Sequence, residues 1–109
     1  MPTTYKVLGQ LASAATTNET LYTCPSATQT VVSTLVVCNR AATAKTYRIA
    51  IRKDAATLAT SQYIAFDVAI AANDSTALTL GITIDAADVI TVYASSADLT
   101  FTAFGSELT

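Results

Sequence analysis

Apolar and polar residues alternate with a period of two along most of the chain, which is typical of half-buried β-strands. The clearest example is the segment 46–53, in which Tyr47, Ile49 and Ile51 occupy one face. The other face carries Thr46, Arg48, Ala50 and Arg52. Because successive side chains of a strand point to opposite sides, this segment is predicted to have one core face and one cationic face.

Eight such segments are predicted as strands, separated by turns rich in Asn, Asp, Ser and Pro. They span residues 5–12, 19–24, 30–39, 46–53, 62–71, 75–80, 89–95 and 99–105. Short strands at this regular spacing are typical of sandwiches and jelly rolls. The sequence therefore predicts one all-β domain over residues 1–109. We expect a single antiparallel β-sandwich of about eight strands, jelly-roll-like, with the first four residues as an arm and the last three as a tail.

Two of the predicted strands make specific demands on the fold. In segment 62–71, alternation predicts that Ile64, Phe66, Val68 and Ile70 point inward, while Tyr63, Ala65, Asp67 and Ala69 point outward. Segment 30–39 is apolar on both faces, with Val32, Val36 and Cys38 on one side and Val31, Leu35 and Val37 on the other. We expect the core to cover one of these faces and a partner to cover the second.

The composition strengthens the expectation of a partner. Of 109 residues, 51% are apolar and only 13% are charged, and the mean hydropathy is +0.43. A domain of this size has much surface relative to its core, so some apolar side chains must lie outside, where such patches usually bind another protein. No apolar run approaches the roughly 20 residues of a spanning helix. We see no signal peptide, and we expect synthesis in a cytoplasm without membrane association.

Charge is distributed unevenly along the chain. All six Lys and Arg residues precede Asp54, whereas seven of the eight acidic residues lie from Asp54 onward. Five cations without an intervening acid form the candidate partner-binding set: Arg40, Lys45, Arg48, Arg52 and Lys53. Two interpretations stay open, a solvated strand face and a docking edge for an acidic neighbour such as the acidic half of another copy. An isoelectric point near 4.7 argues against nucleic acid.

The residues offer little for catalysis or metal binding. The chain has no histidine and only two cysteines, which removes the commonest general base and makes a structural zinc site improbable. Asp85 and Asp88 fit a turn that bonds its own backbone, with weak calcium binding as the alternative. We therefore expect no enzyme, no metal and no cofactor. Cys24 and Cys38 are expected to be buried thiols, with a disulfide as the alternative if their strands are neighbours.

Six segments spread over nearly the whole chain carry a resemblance to a known group of proteins. They are YKVLGQ (5–10), TLYT (20–23), YRIAI (47–51), LTLG (78–81), VITVY (89–93) and FGSE (104–107). Through them the chain resembles small structural proteins of tailed-phage virions, especially phages that infect cyanobacteria. Cys24, which precedes Pro25, departs from the apolar residue expected there. The resemblance implies a part of the capsid or the tail.

Together these observations predict a non-enzymatic structural protein of the virion, made in the host cytoplasm. Our first hypothesis is a capsid decoration (cement) protein that binds assembled shell subunits. Its partners would be copies of itself, as a dimer or trimer, and other virion proteins such as the major capsid protein. The alternative is a tail, neck, baseplate or fibre-base component. A third hypothesis, a receptor- or sugar-binding module, requires exposed aromatic side chains, of which Tyr63 is the one that alternation puts outside.

Overall fold

The computed structural model describes residues 2–109, which form an all-β sandwich of two antiparallel sheets. This part of the chain contains nine strands: β1 (Thr3–Ala12), β2 (Glu19–Thr23), β3 (Gln29–Asn39), β4 (Lys45–Arg52), β5 (Tyr63–Ile70), β6 (Ser75–Leu78), β7 (Ile82–Asp85), β8 (Val89–Ala94) and β9 (Leu99–Leu108). Two 3-10 turns, Lys53–Ala55 and Thr60–Gln62, connect β4 to β5. The predicted all-β antiparallel sandwich is therefore confirmed.

The large sheet has the order β1-β9-β3, and both β6 and β7 pair with the free side of β3. The small sheet has the order β2-β8-β4-β5. The chain passes repeatedly from one sheet to the other, since β1 and β3 belong to the large sheet while β2 and β4 belong to the small one. Most pairings therefore join strands that are distant in sequence, and the chain ends meet in the β1–β9 pair.

The core fills the space between the two sheets. Tyr47 of the small sheet and Phe101 of the large sheet are 1% and 0% exposed, and their rings meet edge to face with centroids 6.4 Å apart. Ile49 and Val92 from the small sheet pack with Leu35 from the large sheet in the same cluster. The alternation predicted for segment 46–53 is thus correct for Tyr47 and Ile49.

Segment 75–80 was predicted as one strand, and β7 was not predicted at all. The edge beside β3 is instead interrupted, because β6 pairs with residues 35–38 of β3 and β7 pairs with residues 29–32. The interruption contains Gly81, whose φ of +66° is a conformation that glycine adopts without a steric penalty. It coincides with a bulge of β3 between Val32 and Thr34.

The same bulge corrects the predicted faces of segment 30–39. One extra residue in a strand moves all later side chains to the opposite face. Val32 consequently joins Leu35 and Val37 in the core, with exposures of 1%, 0% and 0%. The outer face carries Val31, which is 37% exposed, together with Val36 and Cys38, which are half-buried.

The predicted arm and tail are also corrected. Thr3 is paired with Leu108 and Thr4 with Glu107, and the amide of Thr109 donates to the carbonyl of Pro2 at 3.1 Å. Both ends therefore belong to the large sheet, because each completes the backbone hydrogen bonds of the other. Met1, the first residue of the predicted arm, lies outside the described residues.

Candidate interaction surfaces

The five cations of the predicted partner-binding set do not form one continuous edge. Arg40, in the loop after β3, donates from Nη2 to the carbonyl of Ala97 at 3.0 Å. Lys45 and Arg52 lie at opposite ends of the eight-residue strand β4. Lys53 follows in the first 3-10 turn and is exposed. The stretch without acids in the sequence is therefore spread along the length of the small sheet.

Arg52 has a local structural role. Its Nε donates to the carbonyl of Ala56 at 2.8 Å, and its Nη2 donates to the carbonyl of Ala55 at 3.0 Å. These bonds hold the turn that follows β4. Because its guanidinium is already engaged, Arg52 is less suited to an incoming partner than the sequence pattern suggests.

Arg48 is the member of the set that lies in an organised surface cluster. Its Nε donates to Asp67 Oδ1 at 2.7 Å, and its Nη2 reaches Asp67 Oδ2 at 3.4 Å. Its guanidinium carbon lies 4.2 Å from the ring centre of Phe66 and 4.4 Å from that of Tyr93. The hydrogen bond to Asp67 is the main cause of a raised pKa of Arg48. We call Arg48, Phe66, Asp67, Tyr93 and Tyr63 the Arg48 cluster.

A bulge in β5 builds this cluster. Tyr47 of β4 opposes Val68 and Ile49 opposes Ala65, so Phe66 and Asp67 together face the single residue Arg48 between them. Asp67 has a φ of 51°, in the left-handed region that Asp tolerates better than most residues. The bulge turns the Phe66 ring outward, where the ring of Tyr63 meets it edge to face with centroids 4.9 Å apart.

The predicted inward face of segment 62–71 is therefore wrong except at its C-terminal end. Ile64, Phe66 and Val68 are 44%, 54% and 39% exposed, while Ile70 is buried as predicted. Ala65, predicted to face outward, packs against the core cluster instead. β5 is an edge strand of the small sheet, and we call this exposed edge together with the Arg48 cluster the small-sheet surface. Val68, which opposes the buried Tyr47, lies on the inner side of the edge.

A second apolar surface lies on the outside of the large sheet. Tyr5 is 84% exposed, and Val7, Val31 and Phe104 are 48%, 37% and 39% exposed. Tyr5 pairs with Ser106, which in turn pairs with Val31, and Val7 pairs with Phe104. Directly opposed residues share a face of the sheet, so these four side chains form one patch.

The remaining residues of this outer face carry almost no charge. The cross-strand pairs assign to it, besides the apolar patch, Gln10, Ala12, Gln29, Thr34, Val36, Cys38, Ser75, Ala77, Thr83, Asp85, Thr100, Thr102, Ser106 and Leu108. Asp85 is the single charged residue among these positions and lies at a corner, opposite Gln29. Lys6 of β1 and Glu107 of β9 occupy the alternate positions, on the other side of the sheet, where they form an ion pair. We call this surface the uncharged face.

The uncharged face was not predicted from the sequence as one continuous surface. Its signal was present in the alternate positions of segment 99–105, where Thr100, Thr102 and Phe104 are all uncharged. The pairing of β9 between β1 and β3, which extends that pattern across the sheet, depends on contacts distant in sequence.

Glu107, which is buried, forms an ion pair with the exposed Lys6 and hydrogen bonds with groups inside the sandwich. Lys6 Nζ lies 2.8 Å from Glu107 Oε1, the Tyr22 hydroxyl donates to Glu107 Oε2, and Thr30 Oγ1 lies 2.8 Å from that hydroxyl. The bonds from Lys6 and Tyr22 lower the pKa of Glu107. Burial, followed by the bond to Glu107, raises the pKa of Tyr22. These groups satisfy one another and leave no open site.

Asp85 and Asp88 bond the backbone of their own turn, as predicted. Asp88 accepts from the amides of Asp54 and Asp85 at 2.8 and 2.9 Å, and Asp85 accepts from the amide of Ala86 at 2.8 Å. Burial opposes the charge of Asp88, but these amide bonds and nearby Lys53 lower its pKa overall. The two carboxylates therefore serve to shape the turn before β8.

Both cysteines are free thiols. Cys24 is buried, as predicted, with Sγ 3.4 Å from the carbonyl of Thr28, whereas Cys38 is half-buried on the uncharged face. The disulfide alternative is thus wrong. Within residues 2–109, no three Cys, Asp or Glu side chains come together as a metal site would need. The helices of this part of the chain are single 3-10 turns, and none could cross a membrane.

No protein-family model matches the chain, and no curated protein resembles it significantly.

Proposed function

We propose that the chain is a structural protein of a phage virion, and specifically a capsid decoration protein that binds assembled shell subunits. The observation that carries this proposal is the presence of two separate apolar surfaces on opposite sheets. A protein that holds an assembly together must contact at least two other proteins. A single binding surface would only cover one partner. The resemblance of its segments to tailed-phage virion proteins supplies the setting.

The strand order supports a jelly-roll interpretation of the sandwich. If β6 and β7 count as one interrupted edge strand, each sheet has four strands, and the pairs β1–β9 and β2–β8 join the two ends of the chain. Double-sheet jelly rolls are frequent in viral capsid proteins and in lectins. A fold alone does not determine function, so the surfaces carry the argument and the strand order is consistent with it.

The proposed mechanism is mass action. A protein that binds the assembled shell, but not separate subunits, stabilises the shell by the free energy of its own binding. The small-sheet surface is our candidate for the contact with the shell. It combines apolar area on β5 with a guanidinium and a carboxylate in fixed positions, and aromatic and Arg side chains are enriched where interfaces bind most strongly.

The test uses phage heads assembled without the protein, to which the purified chain is added back. Phe66→Ser should reduce co-sedimentation with heads at least about tenfold, because it removes a ring from the proposed contact. Leu80→Ser is the matched control, since Leu80 is 55% exposed, like Phe66 at 54%, but lies between β6 and β7 of the other sheet. Equal binding by the two variants would remove the small-sheet surface from the contact. Binding to tails and not to heads would overturn the decoration function in favour of a tail, neck, baseplate or fibre-base role.

A second candidate, sugar binding, is favoured by one observation. Three aromatic side chains, Phe66, Tyr63 and Tyr93, lie together on the small-sheet surface beside a carboxylate and a guanidinium. Aromatic rings combined with charged groups that form hydrogen bonds are typical of saccharide sites. Binding of wild type, but not of Phe66→Ser, in a glycan screen would support this candidate over a purely structural contact.

A further inference from the structure

We propose that the uncharged face is the interface of a two-fold symmetric homodimer, in which Tyr5 of each copy enters a depression on the other. The proposal rests on the proposed function for its setting, since it identifies a second copy as one of the two bodies that the protein contacts. Its evidence is the chemistry and shape of the face itself.

The near absence of charge on this face favours a contact between identical copies. The chain carries 14 charged residues, yet on the uncharged face the cross-strand pairs place only Asp85, at a corner. In a two-fold interface the residues near the axis meet their own copies, so a charge there would face a like charge. A surface without charges avoids this repulsion. It also offers an acidic or a basic partner nothing to pair with, which favours a second copy over the oppositely charged neighbour expected from the sequence.

The area of the uncharged face can be compared with the area that a stable dimer buries. The face spans four strand positions, and β9 at its centre is ten residues long. With strands about 4.8 Å apart and a rise of about 3.4 Å per residue, its flat projection is about 19 by 34 Å, or about 650 Å². Side-chain relief increases the accessible area beyond this projection. A stable interface needs about 800 Å² per partner, so the face is close to the required size.

The two edges of the uncharged face also have complementary shapes. Tyr5 is 84% exposed at the β1 edge of the face. At the opposite edge, a shallow depression of about 350 Å³ is lined by Gln29, Thr30, Val31, Thr83, Ile84, Asp85 and Leu108. Tyr5 and this depression lie in the same cross-strand row, which runs through Ser106, Val31 and Thr83. A prominent ring and a depression on the same row are the elements of a self-complementary surface.

The cross-strand row from Tyr5 to Thr83 determines the symmetry of the proposed dimer. A two-fold axis that lies in the interface, parallel to the strands and midway between β9 and β3, exchanges the β1 edge with the β7 edge. Each Tyr5 then lies over the depression of the other copy, where its hydroxyl can bond Gln29 or Asp85. Sheets packed face to face keep nearly aligned strands about 10 Å apart. Thr102 and Phe104 of β9 would lie beside the axis, over β3 of the other copy and close to their own counterparts.

Analytical ultracentrifugation of the full chain tests the dimer directly. Wild type should sediment as a dimer that dissociates on dilution. Thr102→Lys should raise the dissociation constant at least about tenfold, because two like charges meet near the axis, and so should Thr102→Asp. An equimolar mixture of the two variants should recover the dimer, since opposite charges then meet. This recovery also excludes misfolding as the cause of the loss.

The control is Thr20→Lys, which places the same charge on exposed Thr20 of the small sheet and should leave the dimer unchanged. A wild-type chain that is monomeric at all concentrations would overturn the proposal, as would Thr102 variants that associate like wild type. Binding to heads is measured separately. A monomer that still binds heads contradicts only the dimer, whereas a dimer that binds no heads contradicts only the decoration function.

Discussion

Two isoleucines that occupy similar sequence patterns, Ile49 and Ile64, differ in how deeply they are buried. Ile49 and Ile64 both occupy alternating segments, and the pattern of each predicts an inward side chain. The structure buries Ile49 completely and leaves Ile64 44% exposed. The difference comes from a second irregularity of β5, since Ile49 opposes Ala65 and Ala50 opposes Tyr63, which leaves Ile64 without a partner on β4.

Their alanine variants should therefore differ sharply in stability. Ile49→Ala should lower the free energy of unfolding by about 2–5 kcal/mol, the usual loss for a large aliphatic side chain removed from a packed core. Ile64→Ala should cost less than about 1 kcal/mol, as expected at a partly exposed site. Urea unfolding followed by circular dichroism measures both. Equal losses would contradict the assignment of the two side chains to core and surface.

Glu107 links stability to pH. Its folded-state pKa lies below the ordinary value because Lys6 and Tyr22 bond its charged form. Such a group stabilises the fold above the unfolded pKa, about 4.3 for glutamate, and the contribution is lost as the pH falls through the folded pKa. The wild-type protein should therefore become less stable as the pH falls below about 4.3.

Glu107→Gln should remove this part of the pH dependence. At pH 7 the variant should lose about 1.5–3 kcal/mol, the range for a hydrogen bond to a charged group. Its stability should then fall less steeply than that of wild type in the acid range, so that the two curves converge. Curves that stay parallel from pH 7 to pH 3 would show that the Glu107 carboxylate contributes nothing.

At the scale of whole elements, bulges decide which surfaces the protein presents. Irregularities in β1, β3 and β5 each shift the register against a neighbouring strand. The shift in β3 brings Val31 to the uncharged face, and the shift in β5 brings Phe66 to the Arg48 cluster. A period of two in the sequence predicts the existence of these strands but contains no signal for an inserted residue.

Gly105 allows one of these irregular strands to pack closely. A Cβ at this position would collide with the backbone carbonyl of Val31 on the neighbouring strand β3. Gly105→Ala should therefore destabilise the domain by about 1–3 kcal/mol, the usual cost of overpacking. Gly81→Ala is the comparison, because nothing lies within 4 Å of that site and only its positive φ is unfavourable. A thermal melt in which Gly105→Ala is the less destabilised variant would contradict the close β3–β9 contact.

At the scale of the molecule, the fold class could be predicted from the sequence, but the interaction surfaces could not. Strand-forming composition and turn residues suffice to predict an antiparallel sandwich, since they act locally. The arrangement of the cations could not be predicted, because Asp67, which pairs with Arg48, is 19 residues away in the chain. The uncharged face likewise depends on β9 lying between β1 and β3.

We propose that the molecule bridges other proteins in an assembly, with the uncharged face on a second copy and the small-sheet surface on the phage shell. A cryo-electron-microscopy map of the purified virion tests it most directly. The account predicts density for this sandwich on the head, in two-fold pairs joined through their large sheets, with the Arg48 cluster against the capsid subunits. Density in the tail or neck, or a virion without the chain, would contradict it.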